Sequence, residues 1–473
     1  MQSLAITPIY TLPTGMKKTL TGIVGVFGVL ACGLLAYIGR MDLVLVFGMI
    51  LLLCLFTWKY NNMAWLLLVA LACFHPLQLD FGTLRLFRDI PFISGINAPL
   101  ADIFSLFMIS VFLVKYVLGY VMIPENTAKR LFPLVLTYLL YLGVSFVSIF
   151  SAYNHNIGES LHYFVRFPLF VFLAYFMYPA FHLRSAKQFE KVFDVLYFVG
   201  IAIAFYGLLS LGFAEHASSL RVEPFGIFGF YPLGQNHNLI AEVLAMIFPV
   251  GLYQAYKYSH KKRYLMGTLF ILFIGLMTLS RAFAVVVAVE VLVLFLNKNF
   301  REKFLPLVKK WKMPIIVLFL GFALYMGVFM VSDTVTSSNS SRILTTDISW
   351  FYLKQSPILG NGPGMYMDIL ENTYAYTLDH GEALDAHGLL QKLAVETGIL
   401  GILTFGLFLT FVFYTLFQLR NGSYFYLVLL TMALGGVVFQ IFNTSYFTSI
   451  MWFPLGLAIA SFGIMEPYDK TNR

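Results

Sequence analysis

The sequence predicts an all-α polytopic membrane protein, a bundle of about fourteen transmembrane helices with one long outer loop that carries short helices. Two totals support this prediction. Hydrophobic residues make up 59% of the 473 positions and charged residues only 11%, whereas soluble domains average about 45–50% and about 25%. The third observation is a series of apolar runs long enough to cross a bilayer. The net charge of +8 does not by itself indicate nucleic acid, because its placement along the chain decides its partner.

Hydropathy predicts the boundaries of these spans to within a few residues. The candidate spans are 19–38, 42–58, 62–77, 99–120, 131–151, 162–181, 192–213, 236–257, 264–280, 282–298, 313–331, 398–418, 423–443 and 446–464. The first follows Lys17 and Lys18 and is read as a retained signal anchor. The three cysteines lie inside apolar runs, so they predict neither a disulfide framework nor a metal site: Cys32, Cys54 and Cys73.

The distribution of Lys and Arg predicts that both termini are cytoplasmic. Most of the 31 Lys and Arg residues then fall on the inside, where the basic clusters 257–263 and 298–312 would face anionic lipid head groups. We divide the chain into four parts: N-terminal helices (1–213), core helices with arginines at their outer ends (214–331), the long outer loop (332–397) and C-terminal helices (398–473).

The cations on the predicted outer side are mostly arginines. They are Arg40, Arg85, Arg88, Arg166, Arg221, Arg281, Arg342, Lys354 and Lys392. Membrane topology requires only positive charge, so it does not explain a preference for arginine. A guanidinium is always charged and can bind phosphate through two parallel hydrogen bonds. The bias therefore predicts an outer face that binds an anion.

The stretch Ser356–Gly401 interrupts the apolar pattern and is its largest polar, glycine-rich exception. The GNGPG motif at 360–364 is incompatible with a helix interior, and we expect a loop in contact with water there. From Asp385 onward apolar residues return at helical spacing, and Gly398 stands where a helix cap would. The pattern predicts a long loop followed by a short helix at the membrane surface.

Two arginines are the first candidates for anion binding. Arg281 lies between two apolar runs, where it would either anchor at the interface or hold a lipid-linked phosphate. Arg221 precedes the eighth span, whose start carries Asn236 and Asn238. An asparagine there is an ordinary helix cap, but the free N–H groups of a helix start also favour anions. We therefore treat Asn236 and Asn238 as substrate-binding candidates.

The remaining candidates lie in or near the loop and the sixth span. Arg166 and Arg342 are further substrate-binding candidates, and His380 is another. His387 is the candidate general base, because the ordinary pKa of histidine lies near physiological pH. Alternatives near it, whose ordinary role would be a solvated loop face, are His380, Asp379, Glu382 and Asp385. No Cys/His metal spacing, Walker motif, G-x-S-x-G or DxD pair is present, so neither a metal nor a nucleotide sugar is predicted.

Three features together resemble the O-antigen ligase and polymerase superfamily of bacterial inner-membrane glycosyltransferases. They are Arg281 after a serine, the GNGPG turn, and His387 ahead of LLQKLAVETGILG. The positions that match the family signature are Ser356, Pro357, Gly360, Gly362, Gly364, His387, Leu390, Glu396, Gly398 and Gly401. The resemblance covers roughly 215–464. It departs from the family pattern at Gly388, where asparagine is usual, and in GQNHN, which replaces NPN after Arg221.

The resemblance implies a GT-C-like bundle that moves a glycan from undecaprenyl pyrophosphate to an acceptor sugar hydroxyl at the periplasmic face. Arg221 and Arg281 would hold the pyrophosphate, and His387 would deprotonate or orient the acceptor. The reaction would use no cofactor and no metal, and it would invert the anomeric centre. The implied partners are the lipid-linked glycan donor, a glycan or lipid A core acceptor, and membrane lipids, without nucleic acid or a nucleotide sugar.

Three alternatives stay open at the level of sequence. A polymerase would share the donor and differ from a ligase only in its acceptor, and the glycine and histidine motif favours a ligase. A lipid-linked oligosaccharide flippase would place cations along several helices around a central cavity, with short loops. A peptidoglycan-type polymerase would need an essential carboxylate on the long loop, such as Asp379 or Asp385.

Overall fold

The computed structural model describes residues 33, 41–80, 97–121, 123, 125–213, 221–227, 230–310, 313, 327, 333–380, 388–420, 423–443 and 449–464. Two predicted spans, 19–38 and 313–331, lie outside the described residues apart from isolated positions. His387, Glu382 and Asp385 also lie outside them.

The first half of the described chain is helical except for one short antiparallel ribbon, in which Leu79 pairs with Ala98. Its elements are α1 (Met41–Lys59), α2 (Asn61–Ala72), β1 (Gln78–Asp80), β2 (Asn97–Pro99), α3 (Leu100–Val117), α4 (Glu125–Ser148), 3₁₀ turns at Ile149–Ser151 and Tyr153–His155, α5 (Ile157–Phe164), π-helical segments Val165–Leu169 and Phe172–Met177, α6 (Tyr178–His182) and α7 (Ala186–Phe213). The first π-helical segment contains Pro168, which lacks the N–H that a regular α-helix would use.

The second half continues the helical order. Its elements are α8 (His237–Lys257), α9 (Lys262–Met277), α10 (Arg281–Phe295), α11 (Lys298–Lys310), α12 (Asp333–Gln355), α13 (Tyr366–Glu371), α14 (Tyr374–His380), α15 (Leu389–Leu419), α16 (Tyr424–Phe442) and α17 (Ser449–Phe462).

Seven described helical runs are long and apolar enough to cross a membrane, and two bent pairs would raise the number to nine. The seven are Leu100–Val117, Glu125–Ser151, Ile157–His182, Ala186–Phe213, His237–Lys257, Leu389–Leu419 and Tyr424–Phe442. The prediction of a mostly helical, multi-pass membrane protein is therefore confirmed. The count of fourteen spans stays a prediction.

The predicted second and third spans form a bent pair instead of two separate crossings. Helix α2 turns 112° away from the end of α1 and has 12 residues. At 1.5 Å per residue it rises about 18 Å, which is less than the hydrocarbon thickness of about 30 Å. The break at Tyr60 coincides with the polar residues 59–62 that separate the two apolar runs in sequence.

Helix α8 is the most enclosed of the spanning helices. Its apolar window is 78% buried, and residues 240–251 are buried without interruption. It packs against α7, α9, α10 and α16, as expected of a helix that is apolar on every side. Because α8 is surrounded by other helices, its first residue lies amid the bundle at one end, and the loops around it meet there.

The segment between α12 and α15 folds into helices with a small core of its own. The buried residues of this core are Ile348, Tyr366, Ile369, Leu370, Tyr376 and Val395. The hydroxyl groups of Ser349 and Tyr366 lie 3.0 Å apart within it. Helix α12 is therefore anchored to α13 and to the first part of α15.

Helix α15 is broken at Gly398, whose backbone has φ 64° and ψ −164°. The break separates a short helix, 389–397, from the long span that follows it. The sequence prediction of a short helix ending at Gly398 is confirmed. A side chain at this position would be strained, and its Cβ would lie 2.4 Å from the Ile358 carbonyl oxygen.

The GNGPG turn fills this break and holds it. Asn361 N–H donates to the Val395 carbonyl (2.7 Å), Gly362 N–H donates to Glu396 (3.0 Å), and Ile399 N–H donates to Pro357 (2.9 Å). Gly360 approaches so closely that a Cβ would lie 2.5 Å from the Glu396 carbonyl carbon. Residues 360–363 are buried, so the expectation of a water-exposed loop is wrong here. A broken helix leaves backbone groups without partners, and a buried turn supplies them.

Candidate functional site

The turn between α9 and α10 holds Arg281 at the first position of α10. Leu279 has a left-handed backbone with φ 55°, which is uncommon for a bulky residue. Ser280 accepts a hydrogen bond from Phe283 N–H at 3.5 Å and donates its own hydroxyl proton to Asn238 Oδ1 at 2.8 Å. The turn is thereby tied to the start of α8, and its strained residue is held by its surroundings.

Arg221 meets the same turn from the extended segment that precedes α8. Its Nε–H donates to the Thr278 carbonyl at 3.1 Å, and the backbone N–H of Val222 donates to the Met277 carbonyl at 2.9 Å. The guanidinium also hydrogen-bonds Nε2 of His237 and lies 3.7 Å from Glu223 Oε1. The structure thus brings Arg221 and Arg281 to one turn, but the charge of Arg221 is partly balanced by Glu223.

The two asparagines at the start of α8 have different partners. Asn236 accepts the backbone N–H of Asn238 at 2.9 Å, so it is the helix cap that its residue type allows. The Asn238 side chain instead accepts the hydroxyl proton of Ser280. Both side chains therefore build the site, and Asn238 joins α8 to α10.

Arg281 and Arg342 form a pair of cations at the edge of this turn. Arg281 Nη1–H donates to Asn339 Oδ1 on α12 at 3.0 Å, and Arg342 lies one turn further along the same helix. Burial, followed by the positive charge of Arg281, lowers the pKa of the Arg342 guanidinium. Within the described ranges, Nε of Arg342 is buried without a hydrogen-bond partner, and no carboxylate pairs with either arginine.

The short helix 389–397 lies against α12 beside these arginines. Gln391 Nε2–H donates to the hydroxyl of Thr346 at 2.6 Å, and Thr346 is four residues after Arg342. The buried Gly388 begins this helix. The position next to Gly388 is His387, which the described ranges do not include.

Lys392, one of the two outer cations that are not arginine, is part of the packing. It is 1% exposed and lies 3.7 Å from Glu396, with the Tyr163 ring 5.5 Å away. Glu396 is also a position of the family signature, and its carbonyl accepts from Ser148 Oγ at 2.7 Å. These contacts support the break at Gly398.

Other predicted site residues lie apart from the arginine pair or cannot be placed. Arg166 lies in the π-helical segment Val165–Leu169 and lines a cavity beside the start of α8, together with Gly234, Gln235 and Leu239. His380 ends α14, and its side chain is outside the described part. No group of three or more His, Cys, Asp or Glu in the described ranges could hold a metal ion.

Sequence reasoning did not identify Asn339 and Glu223 as members of the site. Glu223 had a usable signal, because residues two apart in an extended segment point the same way. Asn339 had none, since it lies 58 positions from Arg281 and only packing of α12 brings it there.

The fold and this site define a multi-pass helical membrane protein in which arginines from three separate segments meet at one end of the bundle. Residues 266–406 match the protein-family model described as O-Antigen ligase. The match confirms the predicted O-antigen ligase and polymerase superfamily over this range. The match includes Arg281, Arg342 and the glycine-rich turn, and it ends just past the middle of α15. No curated protein matches the chain.

Proposed function

We propose that this protein is a glycosyltransferase that moves a glycan from undecaprenyl pyrophosphate to an acceptor sugar hydroxyl at the periplasmic face of the inner membrane. The reaction is metal-independent and inverts the anomeric centre, and it serves lipopolysaccharide O-antigen synthesis. The family match supports glycosyl transfer by a ligase or polymerase. The donor, the mechanism, the side of the membrane and the cytoplasmic position of both termini are part of the proposal.

The observation that carries this proposal is the Arg281–Arg342 pair. Two guanidinium groups are close enough for one to lower the pKa of the other, and no described carboxylate balances them. Like charges repel, and a buried N–H without a partner costs about 1–3 kcal/mol. An anion that binds between them would remove both costs. Pyrophosphate suits such a pair because guanidinium groups bind phosphate oxygens bidentately.

In the proposed reaction the acceptor oxygen attacks the anomeric carbon of the donor sugar. The new glycosidic bond forms as the bond from that carbon to the pyrophosphate oxygen breaks, and undecaprenyl pyrophosphate leaves with the electron pair. Arg281 and Arg342 stabilise its growing negative charge, which is commonly the largest catalytic contribution. The charge of Arg221 is partly balanced by Glu223, so Arg221 stabilises the leaving pyrophosphate less than Arg281 and Arg342 do. Its contact with the turn holds Arg281 in place.

The acceptor proton is assigned to His387. The proposal rests on its residue type and on the position of Gly388 beside α12, one residue away. Gln391 ties this part of the chain to Thr346, within one helical turn of Arg342. An imidazole at that point would accept the proton of the acceptor hydroxyl close to the anomeric carbon, from which the pyrophosphate leaves.

The test is a reaction of the purified protein with a defined undecaprenyl-pyrophosphate oligosaccharide, first alone and then with lipid A core. Product that requires the core identifies a ligase, which the motif favours, and product from the donor alone identifies a polymerase. Arg281→Ala should lower the rate of formation of either product by about 10²–10³, whereas Arg301→Ala, which replaces an exposed arginine on α11, should leave the rate unchanged.

Transport without transfer would overturn the proposal in favour of a flippase. The assay for it uses vesicles with labelled lipid-linked oligosaccharide in one leaflet and measures its appearance in the other. Full transfer activity of Arg281→Ala would also contradict the proposed role of the arginine pair.

A further inference from the structure

An open groove of about 390 Å³ lies between α12 and the link that joins α13 to α14. Its volume falls within the range of about 300–1,000 Å³ found for small-molecule sites. One side comes from two consecutive turns of α12, and the other comes from the link. The lining side chains with aromatic or polar groups are Asp347, Phe351, Tyr352, Asn372, Thr373 and Tyr374. The proposed reaction uses none of these side chains.

Both sides of the groove are held by the small core beneath them. On α12, Ile348 packs in one buried cluster with Tyr366 and Tyr376. In the link, the hydroxyl of Thr373 donates to the Ile369 carbonyl at 2.7 Å, and the Thr373 carbonyl accepts the N–H of Tyr376 at 2.9 Å. The groove is therefore preformed, which reduces the entropy cost of binding a ligand there.

Two aromatic rings of the groove are mostly exposed. Phe351 is 57% exposed and Tyr374 is 79% exposed. The ring of Tyr352 packs edge to face against Phe351, with the centroids 5.3 Å apart, and so supports it. Exposed apolar side chains that are grouped together mark a surface that another molecule covers. The flat face of an aromatic ring also suits the apolar C–H face of a sugar ring.

Polar groups lie in the same groove as these rings. Asp347 and Asn372 are both exposed. The Asn372 Nδ2–H donates to the Asp368 carbonyl at 2.7 Å, which holds the amide in place. Carboxylate and amide oxygens accept hydrogen bonds from hydroxyl groups, and a sugar carries several hydroxyl groups around its ring. Aromatic faces combined with such oxygens favour a carbohydrate over a lipid tail, which offers no hydrogen bonds.

We propose that this groove binds sugar units of the glycan that are remote from the bond broken in the transfer. Phe351 and Tyr374 pack against the sugar rings. Asp347 and Asn372 hydrogen-bond the hydroxyl groups. This inference rests on the proposed function for the origin of the glycan.

The position of the groove on α12 excludes it from holding the reacting sugar. Asp347 follows Arg342 by five residues, so at about 3.6 residues per turn it lies about 140° round the helix from Arg342. A glycan whose pyrophosphate lies at the arginine pair must therefore cross α12 before it enters the groove.

The first test measures binding of a probe without lipid or pyrophosphate. The probe is the surface polysaccharide of the organism that carries this protein, released by mild acid. Calorimetry measures its binding to the full-length protein in nanodiscs. Asp347→Asn and Tyr374→Ala change exposed residues, so they keep the fold, and each should weaken the affinity about fivefold or more. Leu378→Ala, the matched control, removes an exposed side chain of α14 outside the groove and should bind like the wild type.

The second test locates the bound polysaccharide by hydroxyl-radical footprinting of the same sample. Without the polysaccharide, Phe351 and Tyr374 should be oxidised readily, and with it both should be protected. Phe205 is 55% exposed on the spanning helix α7 and is the reference for a ring that lipid covers.

The groove is not a sugar site if the polysaccharide fails to bind the wild-type protein, or binds it no better than it binds Asp347→Asn and Tyr374→Ala. An equal loss of affinity with Leu378→Ala also overturns the proposal. Oxidation of Phe351 and Tyr374 as low as that of Phe205 before the polysaccharide is added would show that lipid covers the groove instead. Failure of the proposed function is a separate result, in which the polysaccharide binds with the expected variant pattern but no glycan is transferred.

Discussion

Replacing Arg342 by Gln tests whether the arginine pair is an anion site or part of the packing. The change keeps most of the side-chain volume and removes the charge. In the ligand-free protein it relieves repulsion with Arg281 and removes a buried Nε that has no partner among the described residues. We therefore expect the unfolding temperature without ligand to stay the same or to rise.

The effect on anion binding should have the opposite sign. A hydrogen bond to a charged group contributes about 1.5–3 kcal/mol, which corresponds to roughly 10- to 100-fold in affinity. At a pyrophosphate concentration of 100 times the wild-type Kd, the wild-type protein gains about 2.7 kcal/mol of stability. With a 10- to 100-fold weaker Kd, the variant would gain only about 0.4–1.4 kcal/mol at the same concentration.

The assay is thermal unfolding of the purified protein followed by intrinsic fluorescence, with inorganic pyrophosphate titrated at constant ionic strength. Constant ionic strength is needed because salt screens exposed charges. Arg301→Gln, the exposed arginine on α11, is the matched control and should respond like the wild type. The reasoning is refuted if Arg342→Gln keeps the full pyrophosphate response. A lower unfolding temperature together with that full response would show that Arg342 is part of the packing.

Three further predictions address the break, the loop helices and the chemistry. Gly398→Ala should lower the free energy of unfolding by about 1–3 kcal/mol or more, because a side chain strains the left-handed backbone and its Cβ collides with a carbonyl oxygen. Gly406→Ala is the control: it lies in open space on the same helix, so it should leave stability unchanged or raise it in the same unfolding assay. Burial and neighbouring carboxylates raise the pKa of Asp368, so stability falls as pH rises from the unfolded pKa near 3.9 through the raised folded pKa. Asp368→Asn should therefore stabilise at pH 7 and lose that gain near pH 4, as measured by unfolding temperature across this range. Arg281→Ala should reduce kcat by about 10²–10³, at least as much as His387→Ala, in the transfer reaction; a smaller loss than for His387→Ala would argue against charge stabilisation as the main contribution.

The class of protein could be predicted because its signals are local. An apolar run predicts a helix that spans the membrane from its own composition, without knowledge of its neighbours. The same reasoning identified Arg281 as a candidate site residue, because a charge at the end of an apolar run is costly unless it reaches water or binds a partner. It was less accurate for the predicted span 62–77, because run length alone does not show that the helix ends at Ala72 or that it bends away from α1.

The GNGPG turn shows where local reasoning misleads. Glycine and proline correctly indicated irregular backbone, and irregular backbone usually lies in water. Here the turn is buried, because the break at Gly398 leaves backbone groups that require partners within the protein. The sequence of the turn does not show that backbone groups of α15 require hydrogen-bond partners from it.

By itself, the sequence determined that this protein crosses a membrane repeatedly and that arginines, rather than lysines, gather on one predicted side. It also determined the superfamily, through spaced glycines and a downstream motif. The tertiary structure alone decided which arginines lie near one another. It joined Arg281 to α12 and Arg342, gave Arg221 a balancing carboxylate, and placed Arg166 at a separate cavity. The physical reason is that charge preference and hydropathy belong to single residues and short segments, whereas a site depends on distances between helices that are far apart in the chain.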